Sequence, residues 1–306
     1  LSKFWQYIAP GGGWFWLINI LLVVYSLGVQ YWDDHGFPAK KFLEADAALA
    51  TSAIMGLLLV FRTNSAYDRW WEARKIWGSL VNDLRNLCVK TREYASLTDA
   101  ECKEYGQLIV GFAYGLKDHL RGKETIAYLP PDCRDEKRDC THLPLAISQM
   151  IYRNIHNWNK SGRITDVEVL QLDRHARALM DICGGCERIK KSPITGSYKW
   201  LLWSILGLYF LILPWLLVPT IDNYSVIMVG IGAYFVTALE FLAEEVEEPF
   251  GTQANDLPLD EICKTIENSV ADVLNYRGNP ADVAASTREA LTESITEPLT
   301  EWPAIT

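Results

Sequence analysis

Charged residues are missing from long stretches of this chain, and those gaps limit what it can fold into. Trp14–Trp32 (WFWLINILLVVYSLGVQYW) runs 19 residues without Asp, Glu, Lys or Arg. Ala47–Phe61 runs 15, Trp200–Ile221 runs 22 and Asn223–Leu239 runs 17. A helix of about 20 apolar residues crosses a bilayer core, with a range of about 17–25. The first, third and fourth gaps meet that length. Trp14, Trp16, Tyr31, Trp32, Trp200 and Trp203 cluster at their ends, where an amphipathic ring is both buried and wet. An unusually apolar soluble core is the competing reading, and runs of this length disfavour it. A cleaved signal peptide is not expected at the first run. It is too long, it is studded with Trp, and no A-x-A site follows it.

The whole-chain averages conceal this pattern. A mean hydropathy of +0.01, with 49% hydrophobic and 22% charged residues, describes an ordinary soluble protein. The apolar content excludes a disordered chain. Seven cysteines in 306 residues exclude a small disulfide scaffold. A net charge of −9 argues against nucleic acid as a partner.

The second gap is short and rich in small residues: Ala47, Ala48, Ala50, Thr51, Ser52, Ala53 and Gly56. Helix–helix interfaces and pore linings use small residues, whereas a lipid-facing surface has no need of them. The sequence predicts a transmembrane helix that other helices shield from lipid. Residues 62–94 continue it without Pro, with Trp70, Trp77, Leu80, Leu84 and Leu87 at helical spacing. A single helix of nearly fifty residues, roughly 70 Å long, is expected.

Residues 62–199 hold 23 Lys and Arg against 18 Asp and Glu, and the rest of the chain holds 6 against 20. Basic residues flank the apolar gaps at Arg62–Arg74 and Lys190–Lys199, so this block and both termini are expected on the cytoplasmic side, or the equivalent side of an organelle membrane. The expected organisation is all-α. Residues 1–61 carry two transmembrane helices, and 62–199 form a large cytosolic helical region. Residues 200–246 carry the third and fourth transmembrane helices, 247–275 a cytosolic C-terminal segment, and 276–306 a disordered tail. Thr98-x-x-Glu101 reads as a capping box, 121–142 as a charged connector, and further helices fall near 143–160, 164–190 and 259–275.

Phe61–Gly78 reads FRTNSAYDRWWEARKIWG, and this stretch resembles the bestrophin family of ion channels, its prokaryotic branch above all. Gly185-Cys186-Glu187-Arg188-Ile189 and Glu247-Glu248-Pro249-Phe250-Gly251, with Asn255-Asp256-Leu257-Pro258-Leu259 following, extend the resemblance over about residues 14–270. It implies a homopentamer around one axial pore. The second transmembrane helix would line a hydrophobic neck, and a cytosolic vestibule would end in a second constriction. It also implies a multi-pass protein of a bacterial inner membrane, with a thylakoid or other organelle membrane as the alternative.

On this resemblance the neck falls on Ala53, Leu57 and Phe61. Their i, i+4, i+8 spacing is one helical stripe, and five copies would stack three apolar rings able to gate by dewetting. On residues alone, a buried core stripe is the rival reading. Ala53 is smaller than the residues usual there, which implies a wider top. Asn64, Ser65 and Asp68 continue down the helix, either meeting the ion in water or serving as solvated and capping groups. Arg69, Trp70, Trp71, Glu72 and Arg74 form the signature. Its expected role is structural, through Arg69–Glu72 and Trp70–Arg74 pairs, with direct ion contact as the alternative. The second constriction is expected within 167–172, at Leu170 first and Val169 next.

Glu240, Glu244, Glu245, Glu247 and Glu248 follow the last span, either as a solvated helix face or as partners for the basic block. Eukaryotic bestrophins clasp Ca²⁺ with an acidic run after Pro-Phe-Gly. Here Asp256 alone keeps a charge, beside Asn255. Ca²⁺ prefers several carboxylates, so these two are weak candidates; no metal site, cofactor or Ca²⁺ requirement is expected. Cys183-Gly-Gly-Cys186 has redox spacing without a βαβ context, and Cys133 and Cys140 are expected as reduced thiols in the connector. The five His form no HExxH motif, and phosphate-binding and nucleophile motifs are absent.

The expected function is passive conduction of monovalent anions, chloride first, by a homopentamer in a lipid bilayer. The same channel passing Na⁺ or K⁺ is the main alternative. A membrane redox or hydrolytic enzyme built on Cys183/Cys186 or the Glu cluster, and a non-conducting subunit, are the others.

Overall fold

The protein is described here by a computed structural model. The structure describes residues 12–35, 45–123, 142–221 and 224–274, with backbone alone for 45–50. The connector cysteines Cys133 and Cys140 and the expected tail over 276–306 lie outside the described residues.

Among the described residues the chain is helical, without strands. The helices are α1 (Gly12–Asp34), α2 (Ala45–Ala95), α3 (Asp99–Leu120), α4 (Leu143–Lys160), α5 (Asp166–Lys191), α6 (Gly196–Ile221), α7 (Tyr224–Glu247) and α8 (Leu259–Leu274). Two compact units divide the chain: Leu1–Arg74 with Arg188–Leu257, and Lys75–Glu187 with Pro258–Thr306. Helix α2 contributes to both. It is one continuous helix of 51 residues, roughly 75 Å at 1.5 Å per residue.

In the first unit α1, α6 and α7 pack on one another. Each is long and apolar enough to cross a membrane. Helix α2 begins with the charge-free stretch Ala47–Phe61, rich in small residues. The core of this unit is Met55 and Leu59 of α2 against Leu206 and Phe210 of α6 and Ala233 of α7. Hydrogen bonds pin the spans together, as they do where lipid offers no polar alternative. Asn19 Nδ2 donates to Thr237 Oγ1 at 3.0 Å, and Trp215 Nε1 donates to Tyr25 Oη at 2.8 Å.

In the second unit α3 is buried on nearly every side from Leu108 to Asp118. It packs against α4 and α8. Trp77, Leu80, Leu84 and Leu87 of α2, placed at helical spacing by the sequence, are fully buried here. Thr98 and Glu101 form the expected capping box. Thr165 and Glu168 repeat it at the start of α5, with Thr165 N–H donating to Glu168 Oε2 at 2.7 Å. Helix α2 stops at Ser96, whose φ of 46° is left-handed. Arg163 receives the freed chain end. Its Nε donates to Ala95 O and its Nη2 to Ser96 O, both at 3.0 Å.

Candidate functional site

Helix α2 has two opposed faces in the first unit. Met55, Leu59, Arg62 and Ala66 are buried. Ala53, Leu57, Phe61, Asn64, Ser65 and Asp68 are all exposed. At about 100° per residue these six positions span roughly 120° of the helix and lie opposite the buried four. The upper part of this face is apolar, with Leu57 and Phe61 each 56% exposed and Ile54 and Val60 beside them. The lower part is polar, ending in Asp68. An apolar stripe this open on a helix anchored by its other side is a surface for another element or for a pathway.

Directly behind the stripe is a buried charge network that the sequence reading did not assemble. Arg62 is fully buried. Its Nε donates to Glu240 Oε1 at 3.2 Å and its Nη2 to Glu247 Oε2 at 2.9 Å. Lys199 Nζ lies 3.1 Å from Glu247 Oε2, and Ile194 N–H donates to Glu247 Oε1 at 2.9 Å. A buried charge is tolerated when paired and hydrogen-bonded. Glu240 and Glu247 are therefore not part of a solvated face. They are partners of basic residues, while the exposed Glu244 lies 3.9 Å from Lys199 Nζ and Glu248 is exposed. One signal was legible. Glu240 and Glu247 are seven apart, two helical turns, and so share one side of α7.

The signature residues meet partners other than those expected. Arg69 caps two helix ends: Nη2 donates to Ile189 O at 2.7 Å, Nη1 to Ser192 O, and Nε to Glu247 O at 3.2 Å. The last carbonyls of a helix have no partner within it, and a planar guanidinium fork can bond several at once. Glu72 takes Arg188 rather than Arg69. Trp70 Nε1 donates to Asn255 O at 3.1 Å. Tyr67 stacks on Trp71 with an interplanar angle of 8°, and Arg74 is exposed.

Asn255 and Asp256 close the loop after α7. Asn255 Nδ2 donates to Glu245 Oε2 at 3.0 Å, and Asp256 Oδ2 accepts the Gln253 N–H at 2.6 Å. A Cβ at Gly251 would sit 2.4 Å from Asp256 Oδ2. Glycine is therefore required for the carboxylate to reach this turn. On α5, Leu170 is 70% exposed and Val167 67%, Val169 is half-buried, and Leu172 is fully buried. Cys183 and Cys186 belong to the buried side of α5. Burial pushes the Cys186 thiol well above its ordinary value, the reverse of a reactive thiolate.

A family model described as bacterial and fungal bestrophin protein matches residues 16–272. The chain belongs to the bestrophin family. A voltage-dependent anion channel-forming protein of Synechocystis is 35% identical over 263 residues, covering 83% of this chain and 85% of its own. The protein named YneE of Escherichia coli K12, described as voltage-dependent anion channel-forming, is 29% identical over 281 residues, covering 90% and 91%. A solved bestrophin homologue from Klebsiella pneumoniae superposes with a TM-score of 0.78 at 25% identity, covering 87% of this chain and 99% of that one. As a bestrophin with three helices, among the described residues, long and apolar enough to cross a membrane, the chain is a membrane protein.

Proposed function

We propose that the protein is a passive channel for monovalent anions, chloride foremost, assembled from five copies around an axial pore. Its family makes it a channel and not an enzyme. The observation that carries the reading is the open stripe Ala53–Leu57–Phe61, exposed on a helix whose other side is locked to α6 and α7. Five such stripes make a constriction of stacked apolar rings, which gates by dewetting and releases ions because it binds them weakly. Phe61 edges carry partial positive charge and favour an anion. The start of α2 is the fourth transmembrane helix in this reading. Asn64, Ser65 and Asp68 meet the ion in water below the neck, and Leu170 with Val169 forms the second constriction. Arg69, Trp70 and Glu72 hold the helix ends around the pore without touching the ion. No Ca²⁺ is required: Asp256 is the one carboxylate of the turn over 252–256, too few for such a site, and its Oδ2 accepts the Gln253 N–H. The names of the Synechocystis and Escherichia coli relatives support anions over cations.

One observation favours cation passage by the same architecture. Of the charges between residues 53 and 68, Arg62 is buried and Asp68 is exposed, so five copies would present a ring of carboxylates. Planar-bilayer recording of the wild type, Leu57→Ala and Phe61→Ala tests the neck. Conductance or open probability should change several-fold in each variant. Unchanged currents in both would refute the assignment of the stripe.

A further inference from the structure

We infer that His119, His142 and Glu187, all in the second unit, bind a divalent transition metal of the zinc class. His119 lies in the last turn of α3, His142 is the N-cap of α4, and Glu187 stands near the end of α5. The residues are 45 and 68 positions apart across their two hydrogen-bonded pairs, so no local motif announces them. Folding brings them to one point. His119 Nε2 lies 2.6 Å from Glu187 Oε1, and His142 Nε2 lies 2.9 Å from the same oxygen. The two ring centroids are 4.5 Å apart, and all three ligand atoms fall within 4.8 Å of one another.

The donor set selects the ion. Imidazole nitrogen suits zinc-class metals, whereas Ca²⁺ and Mg²⁺ demand oxygen. Two His and one carboxylate make three of the four positions of a tetrahedral site, leaving one for water. Zinc–ligand bonds of about 2.0–2.1 Å set neighbouring ligand atoms about 3.4 Å apart. The two His–Glu187 spacings therefore open by less than about 1 Å to admit the ion, and the His119–His142 spacing, within 4.8 Å, adjusts to the same value. The side chains are 20–28% exposed, which gives the ion a way in and leaves the site partly dry. The competing thiols Cys183 and Cys186 are buried.

His142 ties this site to the start of α4. Its Nδ1 accepts the Leu145 N–H at 3.1 Å, which in the neutral ring places the proton on Nε2, facing Glu187. A metal on Nε2 displaces that proton, and the neutral ring then carries it on Nδ1, where it opposes the Leu145 N–H. Metal and helix cap therefore exclude one another, and zinc binding loosens the first turn of α4.

Calorimetric titration of the metal-stripped full-length protein with ZnCl₂ tests the site. One ion per chain is expected. His119→Gln leaves the cap in place and Glu187→Gln preserves shape. Each should weaken binding by more than about 100-fold, beyond the 10–100-fold typical of outer-shell partners. Circular dichroism and size-exclusion profiles matching the wild type establish that the variants fold. Hydrogen exchange across residues 143–147 should quicken when zinc is added. Absence of zinc binding by the wild type, or wild-type affinity retained in both variants, would overturn the site. Zinc bound through these residues with unchanged exchange would overturn its coupling to the cap.

Discussion

Arg62 shows what a single residue contributes here. It follows the apolar run directly, is fully buried, and bonds Glu240 and Glu247 of α7. Truncating one partner of a buried ion network leaves the others uncompensated, at a cost of about 3–5 kcal/mol. Arg62→Ala is accordingly expected to lower the thermal midpoint in detergent far more than Arg74→Ala, whose side chain is exposed. Equal midpoints would remove the network from the account. Arg163 makes a prediction about pH. Its guanidinium bonds Glu101 and holds that carboxyl at about 2, below its ordinary 4.5. A depressed folded-state value adds stability above pH 4.5 and loses it as pH falls toward about 2. The pair is partly exposed and contributes about 1 kcal/mol or less. The stability difference between wild type and Glu101→Gln should therefore shrink on acidification through that window, and a constant difference would contradict the pairing. At Gly251 the missing Cβ makes room for Asp256. Gly251→Ala should break the loop's hydrogen bond to Gln253 and reduce assembled protein recovered from membranes.

At the scale of elements, α2 was largely legible. The absence of Pro from 62–94 and the four-residue spacing of Ala53, Leu57 and Phe61 follow from helical periodicity, and the structure places those three on one exposed face. The buried stripe from Trp77 to Leu87 was equally plain, because core residues repeat locally. What could not be read were partnerships between distant segments. Arg62 and Glu240 are 178 positions apart, and nothing local says which of five glutamates turns inward. Arg69 was expected beside Glu72 because neighbours on a helix are the only partners a sequence displays. Its fork instead bonds carbonyls of Ile189, Ser192 and Glu247, which carry no side-chain signature at all. Lys retains one charge but not the planar fork. Arg69→Lys should thus behave like a partial deletion, speeding hydrogen exchange at the end of α5, and unchanged exchange there would contradict the capping role.

For the molecule as a whole, the near-zero mean hydropathy and the net charge of −9 turn out to be sums over unlike parts. Among the described residues three helices are long and apolar enough to span a bilayer, and the start of α2 carries an open apolar stripe. The charges concentrate in the helices and loops between. That stripe, its polar continuation to Asp68 and the exposed Leu170 are surfaces that a single chain leaves uncovered. A ring of identical chains would use all of them. In the proposed pore Phe61 and the basic residues near the membrane would favour anions, and Asp68 would favour cations, so selectivity separates the two readings. The decisive measurement is the reversal potential of the purified protein in a planar bilayer under a KCl gradient. The account predicts a reversal close to the chloride equilibrium potential. A reversal close to the potassium equilibrium potential, or no current at all, would contradict it.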